Sequence, residues 1–182
     1  MAKEHFKIIP VKKILENTAS HFNNVSLDTI SSSDLDNLRN WKNAHRKYFF
    51  LKSIITKKMQ LQWFEEFKQR DDDYMFILNY EENKIGCIGY RLLDGLVDIY
   101  NVILGNKSFA SKGLMSFAIK LLCSYILDNY KSDITVRVLL DNPARKWYEK
   151  NGFEEVGVKS DYVLMKFNAD NFKFIKYNIL PL

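Results

Sequence analysis

The chain has 182 residues, the length of one domain or of one domain with a short appendage. Hydrophobic residues make up 47% and charged residues 27%, which excludes a wholly disordered chain and a small disulfide-stapled scaffold. The net charge of +5, from 27 Lys and Arg against 22 Asp and Glu, gives a mild preference for anions, yet no run of five like charges marks a nucleic-acid tail, so no nucleic-acid partner is expected. No stretch approaches the roughly 18 uncharged apolar residues of a spanning helix. The N-terminus lacks an apolar signal core, so no membrane partner and a cytoplasmic location are expected. Cys87 and Cys123 are too few for a Cys-based zinc site and are expected to be reduced, and no metal is expected.

Residues 1–22 carry Lys3, Lys7, Lys12 and Lys13 without a clear period, and read as an N-terminal extension of unknown role, either a short helix or a frayed arm. Val25 to Ile30 reads as a first strand. Ser33 is placed to cap a helix bearing Leu35, Leu38 and Trp41, with Asp34 and Asp36 in its first turn. Thr56 caps a second helix, on which Met59, Trp63, Phe64 and Phe67 recur at helical spacing. Strands follow at Tyr74–Tyr80, Ile85–Leu93 and Leu96–Leu104. Asp94-Gly95 is a type I′ hairpin signal, because both residues tolerate positive φ. Ser111 is placed to cap a long apolar helix from Lys112 to Asn129, and Ile134–Leu140 is an apolar strand. Asn142 with Pro143 opens a further helix that Gly152 stops. Phe153–Val156 and Tyr162–Phe167 close the series. Strand, long helix and strand in succession imply a parallel crossover, so the fold class is α/β with a mixed, mostly antiparallel sheet. Residues 23–168 form the domain. The tail 169–182, with Phe172, Phe174, Ile175, Ile179 and Leu180, either packs back on the domain or meets a partner, as a monomer or a homodimer.

Two segments carry chemistry. In Gly105-Asn-Lys-Ser-Phe-Ala-Ser-Lys-Gly113-Leu114 a strand enters a loop of small and basic residues that opens a helix. Free backbone N–H groups and the positive end of the helix dipole then converge, and the expected guest is a phosphate or pyrophosphate. The plain alternative is an ordinary strand-to-helix connection. The second segment runs from Asp141 through Ala144 to Tyr148-Glu-Lys-Asn-Gly152-Phe153.

Together these segments resemble the GNAT superfamily of acetyl-CoA-dependent N-acetyltransferases, over roughly Val25 to Phe167. The resemblance implies a sheet whose parallel strand pair splays, with helices on both faces. It implies acetyl-CoA as co-substrate, with pantetheine along Asn101, Val102, Ile103 and Leu104, and pyrophosphate on Ala110, Ser111, Lys112, Gly113, Leu114 and Met115. It makes Tyr148 the general acid that protonates the leaving thiolate, since a phenol is neutral at pH 7. The chain departs from the family turn at Ala110 and Met115, where only the central Gly113 survives. The family Asn falls on Asp141 or its neighbour Asn142, with Asn142 the better ligand beside a pyrophosphate. Where many relatives place a basic Glu, this strand holds Asp98 and Tyr100, which share a face and are candidate bases or water relays.

A third segment, Leu38 to Phe50 followed by Gln60 to Phe64, resembles the branch acting on nucleotide-linked amino sugars, with Lys42 standing for that branch's Arg. That resemblance names Trp41, Asn43, Arg46, Phe50 and Trp63 as acceptor residues, Arg46 for phosphate and the aromatics for stacking. The expected activity is direct acetyl transfer to the primary amine of a small molecule, with a nucleotide-linked amino sugar as one candidate. The alternatives are acetylation of a protein N-terminus or lysine, and a CoA-binding sensing module without catalysis.

Overall fold

Alternating buried and exposed residues in the first half of the chain specify strands that one face of a sheet must cover, and a computed structural model describes how residues 5–11 and 20–182 do so. Residues 1–4 and 12–19, with Lys3, Lys12, Lys13 and much of the expected helix or arm, lie outside the described residues. The strands are β1 (Phe6–Pro10), β2 (Val25–Thr29), β3 (Asp73–Tyr80), β4 (Asn83–Leu93), β5 (Leu96–Leu104), β6 (Ile134–Leu139), β7 (Phe153–Val158), β8 (Tyr162–Phe167) and β9 (Tyr177–Pro181). They form one sheet in the order β7-β8-β6-β5-β4-β3-β2-β1-β9. Only β5 and β6 pair in parallel, and the long helix between them makes the crossover that the sequence implied.

The helices divide the apolar side chains between two faces. On one lies α3 (Leu114–Asn129), whose Leu114, Ala118, Leu121, Leu122 and Ile126 are buried against Val25, Phe76, Ile88 and Tyr90 of the sheet. On the other lie α1 (Leu35–Ala44) and α2 (Lys57–Lys68), with Leu38, Phe64 and Phe67 packed on Met75, Ile77, Cys87 and Ile103. A short α4 (Arg145–Lys150) precedes β7.

Local signals mostly act where expected. Asp94 and Gly95 have φ of 51° and 77°, as the I′ turn requires. The Thr56 side chain accepts from the Met59 N–H at the start of α2. Three local expectations are corrected. Ser33 does not cap α1: a 3-10 turn, Ser32–Asp34, precedes the helix, Ser31 and Asp34 form the capping box of that turn, with Asp34 accepting from the Ser31 N–H at 2.8 Å, and Asp34 is the N-cap of α1. Ser111 does not cap α3, because Ser111 (φ 62°) and Gly113 (φ 74°) are both left-handed, and the helix starts only at Leu114 with Gly113 as its N-cap. Pro143 is not in the first turn of α4: the Asn142 side chain accepts from the Ala144 N–H, closing a turn before the helix begins at Arg145.

The ends of the chain hold strands that the sequence did not mark. β1 pairs antiparallel with β2 on one side and with β9 on the other, in the register Phe6–Pro181 to Pro10–Tyr177. The tail therefore returns to the domain, with Phe172 edge-on to Phe167. Cys87 and Cys123 are unpaired and buried; burial pushes the Cys87 thiol up to about 12 and Cys123 higher still. A thiolate-selective reagent at pH 8 is therefore expected to leave both unmodified in the native protein and to react with both once it is unfolded. Fast labelling of either thiol in native protein would contradict this packing.

Candidate functional site

The site begins where β5 and β6 part. Their pairing covers Val97–Ile134, Asp98–Thr135 and Ile99–Val136 and then stops, while β5 runs on to Leu104. Beyond Ile99 the β5 edge that faces away from β4 has no strand to bond, so its backbone is open to a ligand.

At this point β5 also carries a bulge. The register with β4 shifts between Gly89–Tyr100 and Cys87–Ile103, and Asn101 takes a left-handed φ of 49°. An extra residue resets the two-residue alternation of side chains. Tyr100 and Ile103 then pack on the α1–α2 side and Val102 and Leu104 on the α3 side. Asn101 turns to α1, where its side-chain carbonyl accepts from the Lys42 ammonium. The Cys87 thiol donates to the Asn101 backbone carbonyl at 3.3 Å and holds the bulge from beneath.

The split strands open a cleft of about 840 Å³ that reaches both faces of the sheet. On the α3 face it meets a compartment of about 470 Å³ walled by Val102, Leu104, Gly113, Leu114, Met115, Ala144, Trp147 and Tyr148. The first intrahelical bond of α3 runs from the Phe117 N–H to the Gly113 carbonyl, so the N–H groups of Leu114, Met115 and Ser116 precede the ladder and are open to an anion. On the α1–α2 face the cleft adjoins a chamber of about 270 Å³, with which it shares Lys42, Leu51, Asn101 and Ile103.

Tyr148 stands where the compartments join, lining both the cleft and the α3-side space. The ring is 6% exposed and packs edge-on to Trp147 and Phe153. Its hydroxyl has no hydrogen-bond partner among the described residues. Burial first, and the nearby Asp98 charge second, push its pKa above the usual tyrosine value, so it holds its proton at neutral pH. Asp98 is buried in the cleft wall, hydrogen-bonded by Arg137 at 2.7 Å and ion-paired with Arg91 at 3.3 Å. The Tyr100 hydroxyl donates to Asp73, and burial followed by that carboxylate pushes its pKa well up.

The sequence-predicted residues fall into three groups. Asn101, Val102, Ile103, Leu104, Asn142, Asp98, Tyr100 and Tyr148 meet in the central cleft, and Ser111, Gly113, Leu114 and Met115 in the α3-side compartment. Ala110 and Lys112 are exposed just outside it, with the Lys112 ammonium 4.8 Å over the Phe109 ring. Asn142 also donates to the Tyr48 carbonyl at 3.4 Å, whereas Asp141 is exposed.

Among the acceptor residues, Phe50 lines the cleft and Trp63 the α1–α2 chamber. The other three are placed differently. Trp41 packs into the core so tightly that a Cβ on Gly105 would collide with its indole. The Asn43 side chain bonds both the N–H and the carbonyl of Ile55, stapling the α1–α2 connection. Arg46 is exposed and donates to the Asn43 carbonyl.

Sequence reasoning treated Lys42 only as a replacement and gave His45 no role, yet both line the cleft. Their i, i+3 spacing at the C-terminal end of α1 was the available signal. Burial, then the Lys107 charge, lowers the His45 pKa.

Comparison with known proteins fits this geometry. A sequence search among curated proteins gives no significant match. Solved structures share the fold at low identity. A spermidine N-acetyltransferase from Vibrio cholerae in complex with CoA and spermine is 19% identical, covering 79% of this chain and 92% of its own at a TM-score of 0.64. An aminoglycoside acetyltransferase in complex with coenzyme A is 21% identical, covering 80% and 95% at 0.67. A ribosomal L7/L12 alpha-N-protein acetyltransferase in complex with coenzyme A is 15% identical, covering 79% and 92% at 0.64. The model of one protein family, described as Acetyltransferase (GNAT) domain, matches residues 24–154. That span contains β5, β6, α1 and α4, which contribute to the cleft wall, and α3, which walls the compartment beside it, and the chain belongs to the GNAT family of acetyltransferases.

Proposed function

We propose that the protein transfers an acetyl group from acetyl-CoA directly to the primary amine of a small molecule, with CoA on the α3 side of the split sheet and the acceptor on the α1–α2 side. The observation that carries this reading is Tyr148, a protonated phenol that lines both the central cleft and the α3-side compartment.

The residues present fit the co-substrate. The unpaired edge of β5 over Asn101 to Leu104 offers amide groups to pantetheine. The first-turn N–H groups of α3 behind Gly113 offer donors to pyrophosphate. Asn142, already turned into the cleft wall, takes the ligand role rather than exposed Asp141. In the transfer, the amine nitrogen attacks the thioester carbonyl, the C–S bond breaks, and Tyr148 gives its proton to the departing thiolate. The amine nitrogen sheds one proton, which Asp98 would take through water or Tyr100 would relay to Asp73, and from there it returns through water to the Tyr148 phenolate; Asp98 and Tyr100 both stand in the cleft wall. The guanidiniums of Arg91 and Arg137 hold the Asp98 carboxylate in place in the cleft wall.

A nucleotide-linked amino sugar is the specific acceptor candidate. Phe50, 54% exposed at the cleft, and Trp63 support it as stacking surfaces. Trp41, Asn43 and Arg46 lend it no support, since their contacts are internal or with the loop.

Isothermal titration with acetyl-CoA, followed by a thiol-release assay over a panel of amines, tests the reading; no binding of acetyl-CoA would overturn it. Gly113→Ala is expected to weaken acetyl-CoA binding about tenfold in the same titration. Its φ of 74° suits glycine, and alanine there costs roughly 1–2 kcal/mol or shifts the first turn of α3. An unchanged Kd would remove the helix terminus from the binding site.

A further inference from the structure

The chamber on the α1–α2 side is apolar, with Leu38, Leu51, Ile55, Met59, Trp63 and Met75 in its walls, and holds no acidic side chain. At its junction with the cleft stands Lys42. The ammonium meets only neutral partners: the Asn101 side-chain carbonyl and the Phe49 ring, whose centroid is 3.6 Å away. No carboxylate pairs with it among the described residues. The cations beside it are already committed or add to its field. Arg91 and Arg137 both hold Asp98, and Lys107 and His45 also line the cleft. The next acid, Asp73, is engaged by Arg70 at 3.2 Å and by Tyr100. A half-buried ammonium without a counter-charge is costly, and burial accordingly pulls the Lys42 pKa down to about 8.

We infer that the acceptor is an amine carrying an anionic group, which pairs with Lys42, and a neutral apolar body, which fills the chamber under α1 and α2. The inference rests on the acetyltransferase reading of the cleft and narrows its acceptor. An apolar cavity of roughly 150 Å³ takes a benzene ring, so the chamber of about 270 Å³ takes an aromatic or branched aliphatic group. A polycation such as a polyamine would set further ammonium groups against Lys42 and apolar walls, with no free carboxylate to receive them. The anion is a carboxylate or a phosphate, since both give the bare ammonium charged acceptor oxygens.

The test uses the intact protein and matched amines. L-phenylalanine against L-phenylalaninamide is the carboxylate arm, tyramine phosphate against tyramine is the phosphate arm, and spermidine is the polycation. Each is titrated by ligand-observed NMR without acetyl-CoA, and then as an acceptor in the thiol-release assay. At least one anionic probe is expected to bind about tenfold or more tighter than its neutral counterpart, the effect of a hydrogen bond to a charged group. Lys42→Met removes that preference and Lys42→Arg keeps it, while Kd for acetyl-CoA stays within about twofold.

The affinity of the preferred anion is expected to fall as pH rises through about 8, where Lys42 loses its charge. The groups facing it do not confuse this reading. Cys87 on β4 is held protonated up to about 12, Arg91 on β4 is paired with Asp98, and Asn101 on β5 and Phe49 are neutral. Equal binding within both pairs, tightest binding of spermidine, or a preference that survives Lys42→Met overturns the inference. The NMR titration is readable without turnover, so failure of acetyl-CoA to bind would be seen separately and would count against the acetyltransferase reading alone.

Discussion

Tyr148→Phe is expected to lower kcat by about 10²- to 10⁴-fold, the range that a positioned proton donor contributes. Acetyl-CoA affinity and thermal stability are expected to change little. The hydroxyl has no hydrogen-bond partner among the described residues to lose, while the ring, packed on Trp147 and Phe153, is kept by phenylalanine. A loss confined to kcat separates proton donation from packing. The pH profile adds a second check. Because burial and Asp98 raise the Tyr148 pKa above its usual 10, its donor form persists through the working range, and no loss of rate up to pH 10 is assigned to its ionisation. A variant with wild-type kcat would remove Tyr148 from the chemistry, and CoA binding without turnover on any amine would then favour a sensing module.

Gly105→Ala is expected to destabilise the protein by about 1–3 kcal/mol, the usual cost of forcing extra volume into a packed site. Tm should fall by roughly 2–12 °C in a chain of this length. The new methyl would collide with the Trp41 indole, and the Gly105 backbone has little room to yield, because its N–H bonds the Ile85 carbonyl at 2.9 Å. Relief must come from α1. Lys42 follows Trp41 on that helix, so the KM for the acceptor is expected to rise even in the folded fraction. Trp41→Leu added to Gly105→Ala should recover much of the loss, giving a coupling energy that a double-mutant cycle reads directly. An unchanged Tm in the single variant would show that Trp41 moves aside without cost.

The two halves of the site were legible to different degrees. The turn behind Leu104 and the run Tyr148 to Phe153 are contiguous, so spacing alone brought their residues to one end of the sheet. The proposed acceptor side is assembled from α1, α2, the loop between them and the middle of β5, and residues that meet there are far apart in sequence, Lys42 and Asn101 by 59 positions. Of the five residues named from local resemblance for acceptor contact, Trp41, Asn43 and Arg46 make contacts within the protein instead of lining the cleft or the chamber. An aromatic at helical spacing has the same pattern whether it meets a ligand or, like Trp41, a glycine of the next layer.

By itself the sequence determined the strand and helix series from β2 to β8, the I′ turn at Asp94-Gly95, the parallel crossover and the glycine at the mouth of α3. Each is set by side-chain period, by the φ a residue tolerates, or by a cap within a few positions. Tertiary structure alone decided three things. Pairing of β1 with β9 joins the two ends of the chain, because an edge strand is fixed by the neighbour that bonds it rather than by its own pattern. The bulge at Asn101 depends on register with β4, and by resetting the alternation it opens one cleft to both faces of the sheet. That no carboxylate among the described residues pairs with Lys42 is visible only in the fold, because a charge is costly by its surroundings and not by its place in the chain.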